Sequence, residues 1–228
     1  MEWVEPLGRE GRIEVEELVR YDELGRRTTA EPTREIVLAT TEVAGHTVAC
    51  AATGRHRTMS VDGAVVAVLD LERRPEVEGG GWAKPVGLDG SSATVEVRSD
   101  ASAGSRLRGP LRYLHVDGAG RSWTWHFVGG TLAGERLVLV RGDAPGGPAV
   151  VSTHPAGQGR SLGNPRGGAG PGTHVTSWTA EASLGEVVLA ELLVTAKLDG
   201  LVDYRAARLA EGVQELTGYV PRVEANTE

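Results

Sequence analysis

Ser183–Val202 reads SLGEVVLAELLVTAKLDGLV, and the placement of its apolar residues decides the architecture. Ser183-Leu184-Gly185-Glu186 fits a capping box: the serine oxygen takes a free amide three residues on, and the Glu186 carboxylate reaches back. Downstream, Val187, Val188, Leu189, Leu192, Leu193, Val194, Leu198, Leu201 and Val202 fall almost all round the helix. The polar residues Glu191, Thr195 and Asp199 form a narrow stripe at i, i+4, i+8. A helix apolar over most of its circumference is buried over most of it. Its polar content and modest length exclude a membrane span. From Asp203 to Leu216 the pattern turns amphipathic, and Gly218 and Pro221 are expected to end the helix.

Upstream, residues 34–71 and 92–153 carry mainly β-strand signals broken by turns. Glu35–Thr41 and Thr47–Cys50 flank an Ala-Gly turn, and Asp62-Gly63 opens the run Ala64–Leu69, apolar on both faces as in a strand covered on both sides. Thr94–Arg98 alternates. Leu111–Val116 and Ser122–Val128 form a hairpin across Asp117–Gly120, and Glu135–Arg141 is again apolar on both faces. Period-2 geometry puts Trp123, Trp125 and Phe127 on one side of one strand. They read as a core wall or as an aromatic ligand platform. The Gly-rich stretch 76–91 reads as a loop carrying Trp82, the best place for an internal boundary.

About nine strand signals thus precede one thickly apolar helix. The expected fold is mainly β with one long C-terminal helix (α+β): an antiparallel barrel, or strongly curled sheet, wrapped around that helix. Expected boundaries are a lead-in over residues 1–11, one domain over 12–218 and a flexible tail over 219–228. In element order, and in the runs WTWHFVGGTLAGERLVLVRG and SLGEVVLAELLVTAKLDGLV, the chain resembles the tubby-like family. That group includes LURP-one-related proteins and phospholipid scramblases. The resemblance implies an antiparallel barrel enclosing a hydrophobic C-terminal helix, and a faint association with membranes or phosphoinositides. No matching phosphoinositide-binding motif is present. A helix-grip fold, with its helix laid across a curved sheet over an apolar cavity, is the rival.

Composition bounds the function. The 228 residues are 40% hydrophobic and 24% charged, which is globular usage. The formal net charge of −7 argues against nucleic acid as partner. Lys84 and Lys197 are the only lysines among 24 basic residues, as GC-rich bacterial codon usage produces. The single cysteine, Cys50, and the acidic N-terminus without an apolar core lead to the expectation of a reducing, cytoplasmic setting with no secretory signal.

The search for chemistry finds no catalytic set. Gly159-Arg160-Ser161-Leu162-Gly163 matches the nucleophile-elbow pattern, but NPRGGAGPG follows it, where a helix cannot start. The stretch 155–172, with seven glycines and three prolines, reads as disorder or as an unspecific anion loop using Arg160 and Arg166. His154 and His174 stand at its two ends and would lie close if the flanking strands pair. Two histidines make a poor metal site, and no metal is expected. His115 and His126 occupy adjacent strands without an identifiable catalytic partner.

The reading is a non-catalytic binding or scaffold module that needs no cofactor. Its partner would be a protein or a small apolar ligand, with peripheral membrane contact weakly implied. The alternative is a small-molecule-binding barrel, or a cofactor-free cyclase or isomerase with an apolar cavity. Candidate ligand-binding residues are Trp123, Trp125, Phe127, His126, His154, His174, Arg160 and Arg166. Cavity volume separates the two readings.

Overall fold

The computed structural model describes residues 4–16, 32–71, 82–100, 111–118, 120–128, 136–155, 173–196 and 198–202. The strands are β1 (Gly11–Glu16), β2 (Ile36–Val43), β3 (His46–Thr53), β4 (His56–Val61), β5 (Ala64–Asp70) and β6 (Ala83–Leu88). They continue as β7 (Ser91–Asp100), β8 (Leu111–Gly118), β9 (Arg121–Val128), β10 (Arg136–Arg141), β11 (Ala149–Pro155) and β12 (Thr173–Trp178). After them come helix α1 (Leu184–Thr195) and a 3-10 turn, Leu198–Leu201.

All neighbouring strands pair antiparallel in one sheet of order β1-β12-β11-β10-β9-β8-β7-β6-β5-β4-β3-β2. Each strand from β2 to β12 hydrogen-bonds its sequence neighbour, and β1 returns to pair with β12. The two ends of the order, β1 and β2, lie against each other without a ladder between them. The result is a nearly closed barrel.

Local chemistry sets the hairpins. Ala44-Gly45, Asp62-Gly63 and Asp89-Gly90 all have positive φ at both positions, the type I′ geometry whose twist matches paired strands. At Gly118 the need is space rather than conformation, since a Cβ there would collide with Ala93 on β7.

Residues of alternating parity fill the lumen, among them Val48, Met59, Leu69, Val86, Val95, Leu114, Trp125 and Leu139. They share one cluster with Val187, Leu189, Leu192 and Leu193 of α1. Every α1 residue except Val194 is buried, and the helix touches β3, β4 and β5 on one side and β11 and β12 on the other. It runs inside the barrel, so the barrel expectation holds and the helix-grip arrangement does not describe this sheet.

The Ser183–Glu186 capping box forms as expected. Other details differ. The strand count is twelve, because β1, a charged segment without a strong strand signal, joins the sheet, and Asp62-Gly63 closes a β4–β5 hairpin instead of opening a single run. Residues 83–88, read as loop, form β6. Gly87 and Pro85 weaken its strand signal, but both ladders hold it.

The helix also stops at Thr195, capped at Ala196. A helix of 12 residues is about 18 Å long. Strands of six to eight residues, as all but the ten-residue β7 are, span a similar height when tilted as barrels require. The helix ends where the lumen does. Finally, the Glu191–Thr195 stripe is buried and bonded internally. Residues 203–216 lie outside the described residues, as does the tail 219–228.

Candidate functional site

The aromatic wall faces the helix. Trp123, Trp125 and Phe127 are all buried in the lumen cluster, and the indole Nε1–H of Trp123 donates to Glu186 Oε1 of α1 at 3.1 Å. Their register partners Arg141, Leu139 and Leu137 on β10 lie on the same side. These rings are core packed on protein, the first of the two readings the sequence left open.

Polar groups inside the barrel meet one another. His174 Nε2 pairs with Glu191 Oε2 at 2.8 Å, Thr153 Oγ1 with Thr176 Oγ1 at 3.0 Å, and the Cys50 thiol donates to Thr195 Oγ1 at 3.3 Å. Such pairing is what burial of polar groups requires. His174 is therefore an interior residue tying β12 to the helix. His154 pairs in register with Val175, while His174 pairs with Pro155. The two imidazoles thus occupy opposite faces of the sheet, and the closeness the hairpin suggested does not arise.

His126 and His115 share the other, outer face. His115 sits opposite Thr124, two residues from His126 along β9, so neither joins Trp123 and Trp125 inside. Both are buried, and their Nδ1 atoms lack a hydrogen-bond partner among the described residues. Burial lowers the pKa of His126, and burial followed by the nearby Arg98 lowers that of His115. An imidazole held neutral in the fold takes up its proton more readily when the chain unfolds. Its contribution is therefore whole above the unfolded value of about 6.5 and is lost as pH falls toward the folded value. Denaturation midpoints should accordingly drop as pH falls below about 6.5. In a His126→Gln variant the slope should flatten by up to about 1.4 kcal/mol per pH unit. Urea titrations at several pH values check this, and an unchanged slope would exclude His126 as a source.

The open site lies at the end of the barrel where α1 begins. The N-terminal segment is strapped across this end by Leu7 N–H to Ala182 O (2.8 Å), Gly8 N–H to Ala180 O (2.9 Å) and a bridge between Pro6 and Ser183. Between that strap and the ends of β9 and β10 is a cleft of about 430 Å³, lined by Val4, Pro6, Arg121, Ser122, Trp123 and Arg141.

Behind the cleft, Glu186 is buried and fully engaged. It accepts from Arg141 Nε (2.7 Å) and Nη2 (2.8 Å), from Trp123 Nε1 and from the Ser183 amide (2.9 Å). Burial pushes its pKa up, but these hydrogen bonds, led by that from Arg141, outweigh it and hold the carboxyl below its ordinary value. The same contact raises the pKa of Arg141.

Arg160 and Arg166, with Ser161, lie outside the described residues. The cleft residues Arg121, Ser122 and Arg141 were not among those the sequence singled out. The signal for Arg141 was its parity with Leu137 and Leu139, which puts a charge on the lumen side of an apolar strand. Among the described residues no group of three or more His, Cys, Asp or Glu side chains is placed to hold a metal ion. No described helix is long and apolar enough to cross a membrane. Compared with known protein families, curated proteins and solved structures, the chain finds no match.

Proposed function

We propose that this protein is a non-catalytic binding or scaffold module whose working surface lies outside the lumen, at the barrel end beside Arg121 and Arg141. One observation carries the reading: α1 is buried nearly all round and takes the space a substrate would need. The aromatic side chains that would orient an apolar substrate are packed against protein instead. A cofactor-free cyclase or isomerase would need that same space. Twelve antiparallel strands around a helix near the C-terminus also support kinship with the tubby-like proteins, and the net charge of −7 supports a partner other than nucleic acid. A cytoplasmic setting, suggested by the lone buried cysteine, belongs to the same proposal.

Native mass spectrometry against the denatured mass tests the filled lumen. The expected result is the chain mass alone after gel filtration. A mass of a few hundred daltons, retained through gel filtration and released only on denaturation, would mean an internal cavity and would favour the enzyme or carrier reading.

A further inference from the structure

We propose that the barrel-end cleft binds small organic acids through their carboxylate, an inference that rests on the binding-module reading above. The polar groups at this cleft that remain unengaged are able to donate. Arg121 is exposed and has no hydrogen-bond or ion-pair partner among the described residues. Arg141 spends Nε and Nη2 on Glu186 and on the Glu181 carbonyl (2.7 Å), which leaves its Nη1 amino group unused. The Ser122 hydroxyl makes no described bond either. Among the described lining residues there is no carboxylate; Glu186 is consumed behind the cleft, while Glu5 in the strap and Glu181 near Arg141 flank it.

Charge selects the ligand class. Glu186 and Glu181 both act on Arg141, so Arg121 is the guanidinium left to meet a ligand's charge. A single free guanidinium suits a monoanion better than a dianion, and its fork matches a planar carboxylate. A phosphate dianion would face the Glu186 carboxylate through a single guanidinium, and the chain's overall negative charge disfavours polyanions at longer range. The remaining wall is apolar. Val4 is 41% exposed and stands with Pro6 across from the arginines, where it can cover a short hydrocarbon body. The volume falls in the range of small-molecule sites.

The test is an amide NMR titration of the full chain with hexanoate, with its neutral counterpart hexanamide, and with inorganic phosphate. Wild type is compared with Arg121→Gln, whose side chain is exposed and unpaired and so leaves the fold intact. Hexanoate should give saturable shifts centred on the amides of Arg121, Ser122 and Arg141. Affinity should fall about tenfold or more for hexanamide and for the Arg121→Gln variant, the loss expected for a charge-assisted hydrogen bond. Equal affinity for hexanamide, or an unchanged Arg121→Gln variant, would overturn carboxylate recognition while leaving a binding cleft. Phosphate binding as tightly as hexanoate would overturn the organic-acid assignment. No saturable shift with any probe would overturn the cleft as an organic-acid site, while the binding-module reading falls separately, on an internal ligand found by the native mass measurement above.

Discussion

Arg141→Met is expected to lower the stability of the barrel by about 3–5 kcal/mol, the usual consequence of stranding a buried charge. The guanidinium is 44% exposed, but its partner Glu186 is 1% exposed. Methionine keeps the apolar stem and removes the charge. Glu186 then retains only Trp123 Nε1 and the Ser183 amide among its described donors.

Two further results distinguish a stranded charge from lost packing. In wild type the depressed pKa of Glu186 contributes stability above the ordinary carboxylate range, and that contribution is lost as pH falls through the folded value. Without Arg141 the carboxyl protonates at higher pH, so the gap between wild type and variant should narrow on acidification. The double variant Arg141→Met/Glu186→Gln should recover much of the loss at neutral pH, because a neutral amide still accepts from Trp123. Chemical denaturation of the four proteins of this cycle provides the measurement. A double variant no more stable than Arg141→Met would show that the charge is not the cause.

Trp125→Ala should be of similar size, about 3–5 kcal/mol, through the cavity it opens in the lumen cluster. Trp125 is wholly buried, opposite Leu114 on one side and Leu139 on the other. The more searching comparison is with phenylalanine at the two lumen tryptophans. Trp125 Nε1 is buried without a partner among the described residues, so Trp125→Phe removes an orphaned donor and loses only ring volume. Trp123→Phe removes the hydrogen bond to Glu186 as well. It should therefore cost about 1 kcal/mol more, the net worth of such a bond. Thermal or urea unfolding of the two variants decides it, and equal losses would mean that the Trp123–Glu186 bond contributes nothing.

The strands that were hardest to foresee share a physical feature. β6 contains Pro85 and Gly87, and β1 presents Arg12, Glu14 and Glu16 on its outward face. Neither has the apolar content to declare itself. Both exist because neighbours offer ladders: β6 lies between β5 and β7, and β1 completes the edge of β12. The histidines failed for a different reason. Whether His154 and His174 meet depends on register, and a one-residue offset puts adjacent side chains on opposite faces. The cleft was equally illegible, since Arg121 and Arg141 are 20 positions apart and meet only through the β9–β10 ladder and the N-terminal strap.

By itself, the sequence of residues 183–202 determined that one helix would be buried over most of its surface, because its apolar residues are set almost all round it; whether a barrel or a curved sheet covers it was left to the tertiary structure. The capping box and the positive-φ turn dipeptides were determined in the same local way, by interactions spanning a few residues. Only the tertiary structure decided that β1 pairs with β12 to bring the sheet nearly full circle. It alone decided that Glu191 and Thr195 would find His174 and Cys50, and that the unengaged donors of Arg121 and Arg141 would share one cleft. Those outcomes depend on register and closure, which are set by the summed packing of the whole barrel and leave no mark in any short stretch of chain.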